Sequence, residues 1–516
     1  MLGIRREAFP RISSPPAVCR HFSRKQALRW QGSNDEARHQ PPSFPRVRAL
    51  PVSAHNRSRE PHRREQSKPK RIETQMKKYA WTNPSVLQFA QGEDPVEKIE
   101  RQARELALQA KDEGWAGPPF DPLHLAEWRG LTLDARGDIP DARLVPSESG
   151  PAVLQYNPMR PRGRLRFSIA HEIAHTLFPD YAEEVRNRGS DSSVARPDNW
   201  QLEVLCNIGA AELLMPLGSF SELAGEVASI QKVMDMRKNF DVSVEACIIR
   251  LIKLSKKPMA AFCASVHQDG RHHVDYVIPS HGWTSPVKAG QVIPSGSVIK
   301  DAVAIGFTAV GDETWADGVP LRVECVALAP YPGAADPRVV GLLIDSTSES
   351  FSAPSVREVD GNALEPRGGG KKLLVHVVPN TTNVWGGRGF ASELRRRFPD
   401  SWSRFRSETI GAHRAPVLGD VFVAPISDDI VVAHMVAQHG IGPSKNQRLR
   451  YSALSQCLQT VRVRAKEMDA SVHMPRIGTG HGGADWEVIR ELIAEELVDK
   501  GVQTTVYRLP ANAGSQ

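Results

Sequence analysis

The segment Arg164-Leu-Arg-Phe-Ser-Ile-Ala-His-Glu-Ile-Ala-His-Thr-Leu-Phe178 contains the motif His-Glu-x-x-His at residues 171–175. Apolar residues recur in it at three-to-four spacing, which predicts an amphipathic helix that Pro179 ends. Histidines four residues apart lie about 40° apart around a helix of roughly 3.6 residues per turn, so both imidazoles can reach one metal ion. The glutamate between them can reach a water on that metal. The motif therefore predicts a metal site at His171 and His175.

A second helix is predicted from Trp200 to Pro216. Glu203 and Asn207 share one face of it, because residues four apart are neighbours on a helix. A catalytic zinc needs three protein ligands and one open position. Glu203 lies 28 residues after His175, which leaves room for a loop and an antiparallel return. Its carboxylate is therefore the candidate third ligand. For Asn207 three roles stay open: a hydrogen-bond partner of a metal ligand, a capping residue, or a residue that faces solvent.

Together the two stretches resemble the ImmA/IrrE family of metallo-endopeptidases. The family pattern is roughly R-F-x-x-A-H-E-x-x-H followed by E-x-x-A-N-x-F-A-A-x-L-L-M-P, and the chain matches it over 166–175 and 203–216. Cys206 and Gly209 replace the alanine and phenylalanine of that pattern, and we interpret both as packing positions. The resemblance covers about residues 90–255. It implies a zinc peptidase with Glu172 as the catalytic general base and three Zn²⁺ ligands: His171, His175 and Glu203.

Length and charge suggest two to four domains and a distinct N-terminus. The chain has 516 residues and a net charge of +7, but residues 1–75 alone carry 17 Lys and Arg against 6 Asp and Glu. The remainder is therefore net acidic, which weakens a general nucleic-acid-binding interpretation. Residues 1–75 have little apolar periodicity and are predicted to be a basic disordered tail. The alternatives are a basic arm that binds acidic partners and an upstream extension absent from the real product, with Met76 as the start.

The six cysteines are scattered and form no C-x-x-C pair. This argues against a disulfide scaffold or a cysteine zinc site and suits a reducing cytosol. No apolar run approaches the roughly 18 residues of a membrane span, and the N-terminus lacks the apolar core of a signal peptide. We expect a soluble, cytoplasmic protein with no membrane partner.

Residues 257–350 contain short β-like runs separated by Gly and Pro turns, which predicts a small β-rich module. Its role is open between sensing and packing. His272 and His273 fall in this module, but loop histidines are rarely ligands, and no motif here carries chemistry.

Residues 352–511 alternate strands and helices, which predicts an α/β sandwich with a largely parallel sheet. Two Gly-rich loops, 380–390 and 478–483, each leave a strand and open a helix. Small residues let backbone N–H groups approach a ligand, and a helix N-terminus favours negative charge. Two such loops together suggest a diphosphate.

This region resembles a macro domain, most closely the group with terminal ADP-ribose protein glycohydrolases and the antitoxins of DNA ADP-ribosylating toxins. The resemblance implies that ADP-ribose is bound by Asn362, in place of an adenine-binding aspartate, and by residues of the two loops: Asn380, Gly386, Gly387, Gly389, Gly478, Thr479, Gly480, His481, Gly482 and Gly483. Catalytic members pair a lysine with an aspartate, but this chain has Ala437-Gln-His439 and a glycine at those places. Asp485 is predicted to cap a helix, so binding is favoured over hydrolysis.

The sequence thus predicts a multidomain protein: a tail (1–75), an α+β zincin-like peptidase domain (76–256), a β-rich module (257–350) and an α/β/α macro domain (352–511). We expect a stress-related zinc endopeptidase coupled to ADP-ribose binding. Its expected partners are a protein substrate, with a helix-turn-helix repressor as candidate, and ADP-ribose or an ADP-ribosylated macromolecule. One alternative is an ADP-ribosyl hydrolase or antitoxin-like enzyme with a non-catalytic peptidase scaffold. The other is a non-enzymatic ADP-ribose reader with a structural zinc helix.

Overall fold

A computed structural model describes residues 81–147, 151–183, 198–219, 229–255, 257–302, 304–315, 318–330, 335–345, 355–381, 389–411, 415–442 and 444–509. The predicted basic tail, 1–75, lies outside the described residues, as do Gly386 and Gly387. Residues 78–516 form one compact unit. In the part of the chain that is described, no helix is long and apolar enough to cross a membrane.

The helical region (81–255) holds the His-Glu-x-x-His motif. Its elements are α1 Pro84–Ala90, α2 Pro95–Asp112, α3 Pro122–Trp128, β1 Thr132–Ala135, β2 Ala142–Val145, β3 Val153–Tyr156, α4 Arg162–His175, α5 Asn199–Leu214, α6 Ile230–Phe240 and α7 Val244–Leu254. The three strands form a sheet in the order β1-β3-β2, parallel between β1 and β3 and antiparallel between β3 and β2. The apolar periodicity of residues 95–112 predicts an amphipathic helix, which α2 confirms, whereas α1, β2 and α6 were not predicted.

The ends of these helices follow from local chemistry. The side chains of Asn83, Asp94 and Asp121 each accept a backbone N–H at the start of α1, α2 and α3, and a proline follows each of them in the first turn. This is the expected N-terminal arrangement, because proline lacks a donor that the first turn could not pair. The prediction that Pro179 ends α4 is wrong: the helix ends at His175, and the Thr176 hydroxyl donates to Ile173 O.

The antiparallel module (257–345) follows as a five-stranded sheet in the order β5-β4-β8-β7-β6. Its strands are β4 Met259–Val266, β5 His272–Pro279, β6 Thr308–Thr314, β7 Pro320–Leu328 and β8 Arg338–Asp345. This confirms a β-rich module, although β6 was not predicted. Met259, Ala261 and Val340 on one face belong to the same core as the helical region. Phe262 and Leu321 belong to a second core inside the module.

The mixed-sheet region (355–509) is built on a six-stranded sheet in the order β11-β12-β10-β13-β14-β9. Its elements are β9 Arg357–Asp360, β10 Lys371–Pro379, α8 Gly389–Arg397, α9 Pro399–Arg406, β11 Val421–Pro425, β12 Ile430–Gln438, α10 Tyr451–Met468, β13 Ala470–Pro475, α11 Trp486–Ile493 and β14 Thr504–Arg508. Every neighbouring pair is parallel except β11 and β12, which confirms the largely parallel sheet.

Three details of this region differ from the prediction. The sequence of residues 471–478 predicts a strand, but the strand ends at Pro475, and β9 was not predicted. The sequence after Asp485 predicts a helix through Leu497, but it is α-helical only to Ile493, after which residues 494–498 form a π-helical turn. A π-turn breaks the regular hydrogen-bond ladder, which periodicity alone does not reveal.

Charged side chains join the helical and mixed-sheet regions. Arg104 on α2 lies 3.4 Å from Glu212 on α5 and 2.5 Å from Glu495 in the π-helical turn. At the end of α2, the Asp112 carboxylate accepts the backbone N–H groups of Tyr451 and Ser452 at the start of α10. Helix α5 is therefore tied to the mixed-sheet region through its ion pair with Arg104.

Candidate functional site

The packing of α5 on α4 brings the predicted metal ligands together. A Cβ placed on Gly209 would lie 3.0 Å from Cβ of Ala174 and 3.4 Å from Cγ1 of Ile99. A larger side chain would therefore push α5 away from α4 and α2. The glycine that replaces the expected phenylalanine is a condition of this close approach.

The three candidate ligand side chains meet at one point. Nε2 of His171 lies 3.2 Å from Nε2 of His175 and 3.0 Å from Oε2 of Glu203. Nε2 of His175 lies 3.8 Å from Oε1 of Glu203. Both imidazoles are largely buried, whereas 45% of the Glu203 side chain is exposed. The cluster is thus set in the protein interior but opens to solvent on the side of the carboxylate.

These separations fit a tetrahedral metal ion. Zinc binds nitrogen and carboxylate oxygen at about 2.0–2.2 Å, so two tetrahedral ligand atoms are about 3.3 Å apart. The nitrogen–nitrogen distance of 3.2 Å and the distance of 3.0 Å from the His171 nitrogen to the carboxylate are close to that value, and the distance of 3.8 Å from the His175 nitrogen to the carboxylate is somewhat longer. Two imidazoles and one carboxylate are also a donor set that catalytic zinc uses. The residues present therefore fit the metal that the sequence predicts.

Two hydrogen-bonding contacts fix the positions of His171 and Glu172. Nδ1 of His171 lies 2.9 Å from Oδ1 of Asn207, so the second ring nitrogen faces an amide oxygen. Such a contact fixes the tautomer and orientation of a ligating histidine. The carboxylate of the buried Glu172 accepts the backbone N–H of Leu144 on β2 at 3.0 Å. Of the alternatives open for Asn207, the geometry is that of a partner of His171.

The electrostatic surroundings of His171 favour positive charge. Burial by itself lowers the pKa of this imidazole, but the hydrogen bond to Glu203 and the charges of Glu203 and Glu172 outweigh it, so the pKa is raised. Carboxylates that stabilise an imidazolium stabilise a metal cation in the same place, because both effects are Coulombic attraction.

Cys206 is the neighbour of this cluster that the sequence interpretation missed. Its Sγ and one ring nitrogen each of His171 and His175 all lie within 4.8 Å of one another. The expectation that Cys206 is only a packing position, and that no cysteine stands in a metal site, is therefore incomplete. The missed signal was its spacing: Cys206 is three residues after Glu203, so the two can share a helix face.

The mixed-sheet region gathers most of the other predicted residues at one edge. Since β9, β10, β12, β13 and β14 are parallel, their carboxyl ends point the same way, and ligands of such sheets bind at this edge. Asn362 follows β9, Asn380 follows β10, and Gly478–Gly483 follow β13. Gly389 is the first residue of α8. The structure thus places Asn362, the described ends of the first Gly-rich loop and the whole second loop at the same edge of the sheet.

The loop after β13 presents backbone donors. Within the described residues, the N–H groups of Gly478 to Gly482 donate no hydrogen bond, whereas Gly483 N and Ala484 N bond back to Gly480 O and Gly478 O. A Cβ on Gly482 would lie 2.4 Å from Gly478 O. Gly478 has a φ of +76°, a value that glycine adopts without strain. The loop is therefore closed on itself by glycine and has five donors left for an anion.

Two asparagines at this edge differ in the hydrogen bonds that their amide oxygens accept. Oδ1 of Asn380 is buried and accepts no hydrogen bond within the described part of the chain. Oδ1 of Asn362 accepts the backbone N–H of Leu364 at 3.0 Å. An amide oxygen has two lone pairs, so Asn362 can accept one further bond. A buried acceptor without a partner is costly unless a ligand pairs with it, which favours a ligand at Asn380.

Asp485 is engaged elsewhere, as the sequence predicted. Its carboxylate accepts the N–H of Glu487 at 2.9 Å and caps α11. The aspartate nearest the second loop therefore caps the N-terminus of a helix.

Fold and site together define a protein with a two-histidine, one-carboxylate centre and a separate mixed-sheet region that has a glycine-rich ligand edge. Comparison with known proteins agrees. The family model described as "IrrE N-terminal-like domain", of the Peptidase_M78 family, matches residues 135–251. The chain is 28% identical over 122 residues to "Radiation response metalloprotease IrrE" of Deinococcus deserti, which is 23% of this chain and 42% of that protein.

Other matches concern a second domain. The chain is 29% identical over 170 residues to "Chromodomain-helicase-DNA-binding protein 1-like" of Mus musculus, 31% of this chain and 19% of that protein. It is 29% identical over 161 residues to "DNA ADP-ribosyl glycohydrolase" of Thermus aquaticus, 30% of this chain and 41% of that protein. It is 32% identical to a solved macrodomain protein from Streptomyces coelicolor, covering 30% of this chain and 99% of that one, with a TM-score of 0.26.

Residues 135–251 therefore match the IrrE N-terminal-like domain model of a peptidase family, and the chain, at 32% identity over 99% of a macrodomain protein, belongs to the macrodomain family. It spans less than half of the length of each of these curated relatives.

Proposed function

We propose that this protein is a zinc-dependent endopeptidase whose active centre is formed by His171, His175, Glu203 and Glu172. The observation that carries the proposal is the convergence of two ring nitrogens from α4 and one carboxylate from α5, with separations of 3.0, 3.2 and 3.8 Å. A zinc ion bound there would polarise a peptide carbonyl and lower the pKa of a water. The match of residues 135–251 to a peptidase-family model makes peptide hydrolysis the chemistry to test.

Each residue has a separate task in this proposal. His171, His175 and Glu203 would hold the cation, and Asn207 orients the first of them through Nδ1. Glu172 accepts the proton of the attacking water and returns it to the amine that leaves. Its bond from Leu144 N holds the carboxylate in place.

We further propose that the macro domain, residues 352–511, binds ADP-ribose free or attached to a macromolecule. The unpaired N–H groups of the 478–482 loop suit a diphosphate, and the buried Oδ1 of Asn380 suits a ribose hydroxyl. Hydrolysis of the ADP-ribosyl bond is the alternative that a glycohydrolase relative suggests. It is less favoured because Asp485 caps α11 and a glycine occupies the place of the catalytic aspartate.

The two activities are coupled in this proposal through α5. That helix carries Glu203 near one end and Glu212 near the other, and Arg104 bridges Glu212 to Glu495 of the mixed-sheet region. A ligand that shifts the π-helical turn would act on the helix that holds the third metal ligand. The substrate we propose is a protein, with a helix-turn-helix repressor as first candidate.

The experiment compares the wild type with Glu172→Gln. Each is loaded with zinc, its metal content is measured, and candidate repressors are incubated with it in the presence and absence of ADP-ribose. We expect equal zinc content and a loss of cleavage of about 10²–10⁴-fold in the variant, the usual contribution of a general base. Equal cleavage by both proteins would reject the peptidase. Identical cleavage with and without ADP-ribose would reject the coupling only.

A further inference from the structure

The metal centre has a fourth donor within reach. Sγ of Cys206 and a nitrogen of each imidazole lie within 4.8 Å of one another, so these three atoms are already grouped as ligands of one ion would be. Cys206 is fully buried, on the same helix as Glu203 and three residues after it. In a tetrahedral zinc site a thiolate sulfur lies roughly 3.5 Å from a ligating nitrogen, so binding of an ion would draw these side chains closer together.

We propose that Cys206 is a fourth protein ligand of this centre and that its thiolate closes the position that peptide hydrolysis needs. This inference rests on the proposed function, since it concerns the same ion. When the sulfur–metal bond forms, the thiol proton passes to solvent, so the step needs neither oxidant nor reductant. Zinc sites with four protein ligands are structural and closed, whereas catalytic ones keep one position open.

Two consequences follow from a thiolate in this place. The first is selectivity, because soft thiolate ligands select zinc over hard cations such as magnesium or manganese. The second is latency, because the ion with Cys206 bound has no room for water. The centre is then active only when Cys206 leaves the metal, and binding at this position becomes a control of the peptidase.

Cobalt spectroscopy tests the proposal without any assay of activity. The full-length protein is stripped of metal and titrated with Co²⁺, since a thiolate bound to Co²⁺ gives a near-ultraviolet sulfur-to-cobalt charge-transfer band that imidazole and carboxylate do not give. The test variant is Cys206→Ala. The matched control is Cys247→Ala, a second fully buried cysteine, on α7, where burial raises the pKa of the thiol to about 12.

We expect the band in the wild type and in Cys247→Ala, and its loss in Cys206→Ala. Zinc affinity should fall at least about ten-fold in Cys206→Ala, the lower end of what even indirect partners of a metal contribute. Cobalt binding to the wild type without a sulfur band would overturn the inference and leave the peptidase proposal standing. Failure of the wild type to bind cobalt or zinc at all would overturn both.

Discussion

Nε2 of His171 and Oε2 of Glu203 lie 3.0 Å apart although 32 residues separate them in the chain. We predict that Glu203→Ala lowers zinc affinity strongly, because a third of the proposed protein donors is lost and the remaining two do not enclose the ion. Competition with a chromophoric chelator measures the change. The control is Glu97→Ala, which removes an exposed carboxylate of α2, and equal affinity of both variants would contradict the assignment.

Asn207 offers a subtler test of the same centre. The Asn207→Ala variant removes the oxygen that lies 2.9 Å from Nδ1 of His171. We expect zinc affinity to fall about 10–100-fold, as for other partners that orient a ligating histidine. Asn207→Asp keeps an acceptor in place and should retain most of the affinity. If Asn207→Asp loses as much zinc affinity as Glu203→Ala, or if Asn207→Ala loses none, the contact does not position the ring.

Arg104 should be important for stability as well as for coupling. Its guanidinium and the Glu212 carboxylate are both nearly inaccessible to solvent. Arg250 still pairs with the Glu212 carboxylate, so Arg104→Ala removes one of the two arginines that compensate it. It should lower the free energy of unfolding by about 1–3 kcal/mol. Denaturant unfolding measures this. The comparison is Arg101→Ala, whose pair with Glu93 is more exposed and should contribute at most about 1 kcal/mol.

Glu495 should make stability depend on pH. Burial raises the pKa of this carboxyl from its ordinary 4.5 to about 7, against the opposing attraction of Arg104. The folded state then holds the proton more tightly than the unfolded state. The stability that protonated Glu495 contributes is present at low pH and is lost as the pH rises from about 4.5 to about 7. Unfolding free energies of Glu495→Gln should decline less over this range than those of the wild type, and parallel curves would contradict the prediction.

The loop after β13 can be tested by adding a single methyl group. The Cβ in Gly482→Ala would lie 2.4 Å from a backbone oxygen, so the loop must shift and its N–H groups lose their arrangement. We predict that ADP-ribose affinity, measured by calorimetry, falls at least about ten-fold, since one or more hydrogen bonds to charged oxygens are lost. Gly369→Ala is the control, because its Cβ would meet no atom within 4 Å.

Much of the fold follows from patterns along the chain. Helix α2 was predicted over its full range, because the apolar residues of 95–112 recur at helical spacing, which is a local signal. The parallel sheet followed from the alternation of strands and helices. The strands β2 and β9 were missed because their burial forms neither a clear two-residue alternation nor a continuous buried run. Burial alternates along β6, but its inward residues Ala309, Gly311 and Glu313 are small or charged, so the apolar alternation that marks a strand is absent.

The sequence by itself determined which residue types could bind a metal, since the spacing of His171 and His175 sets both rings on one helical face whatever surrounds them. Only the tertiary structure decided how far Glu203 is from them, because that distance depends on how closely α5 packs on α4 at Gly209. It also decided that the Cys206 thiol faces the imidazoles. Spacing fixes directions within one helix, whereas contacts between helices depend on side chains that are remote in the chain.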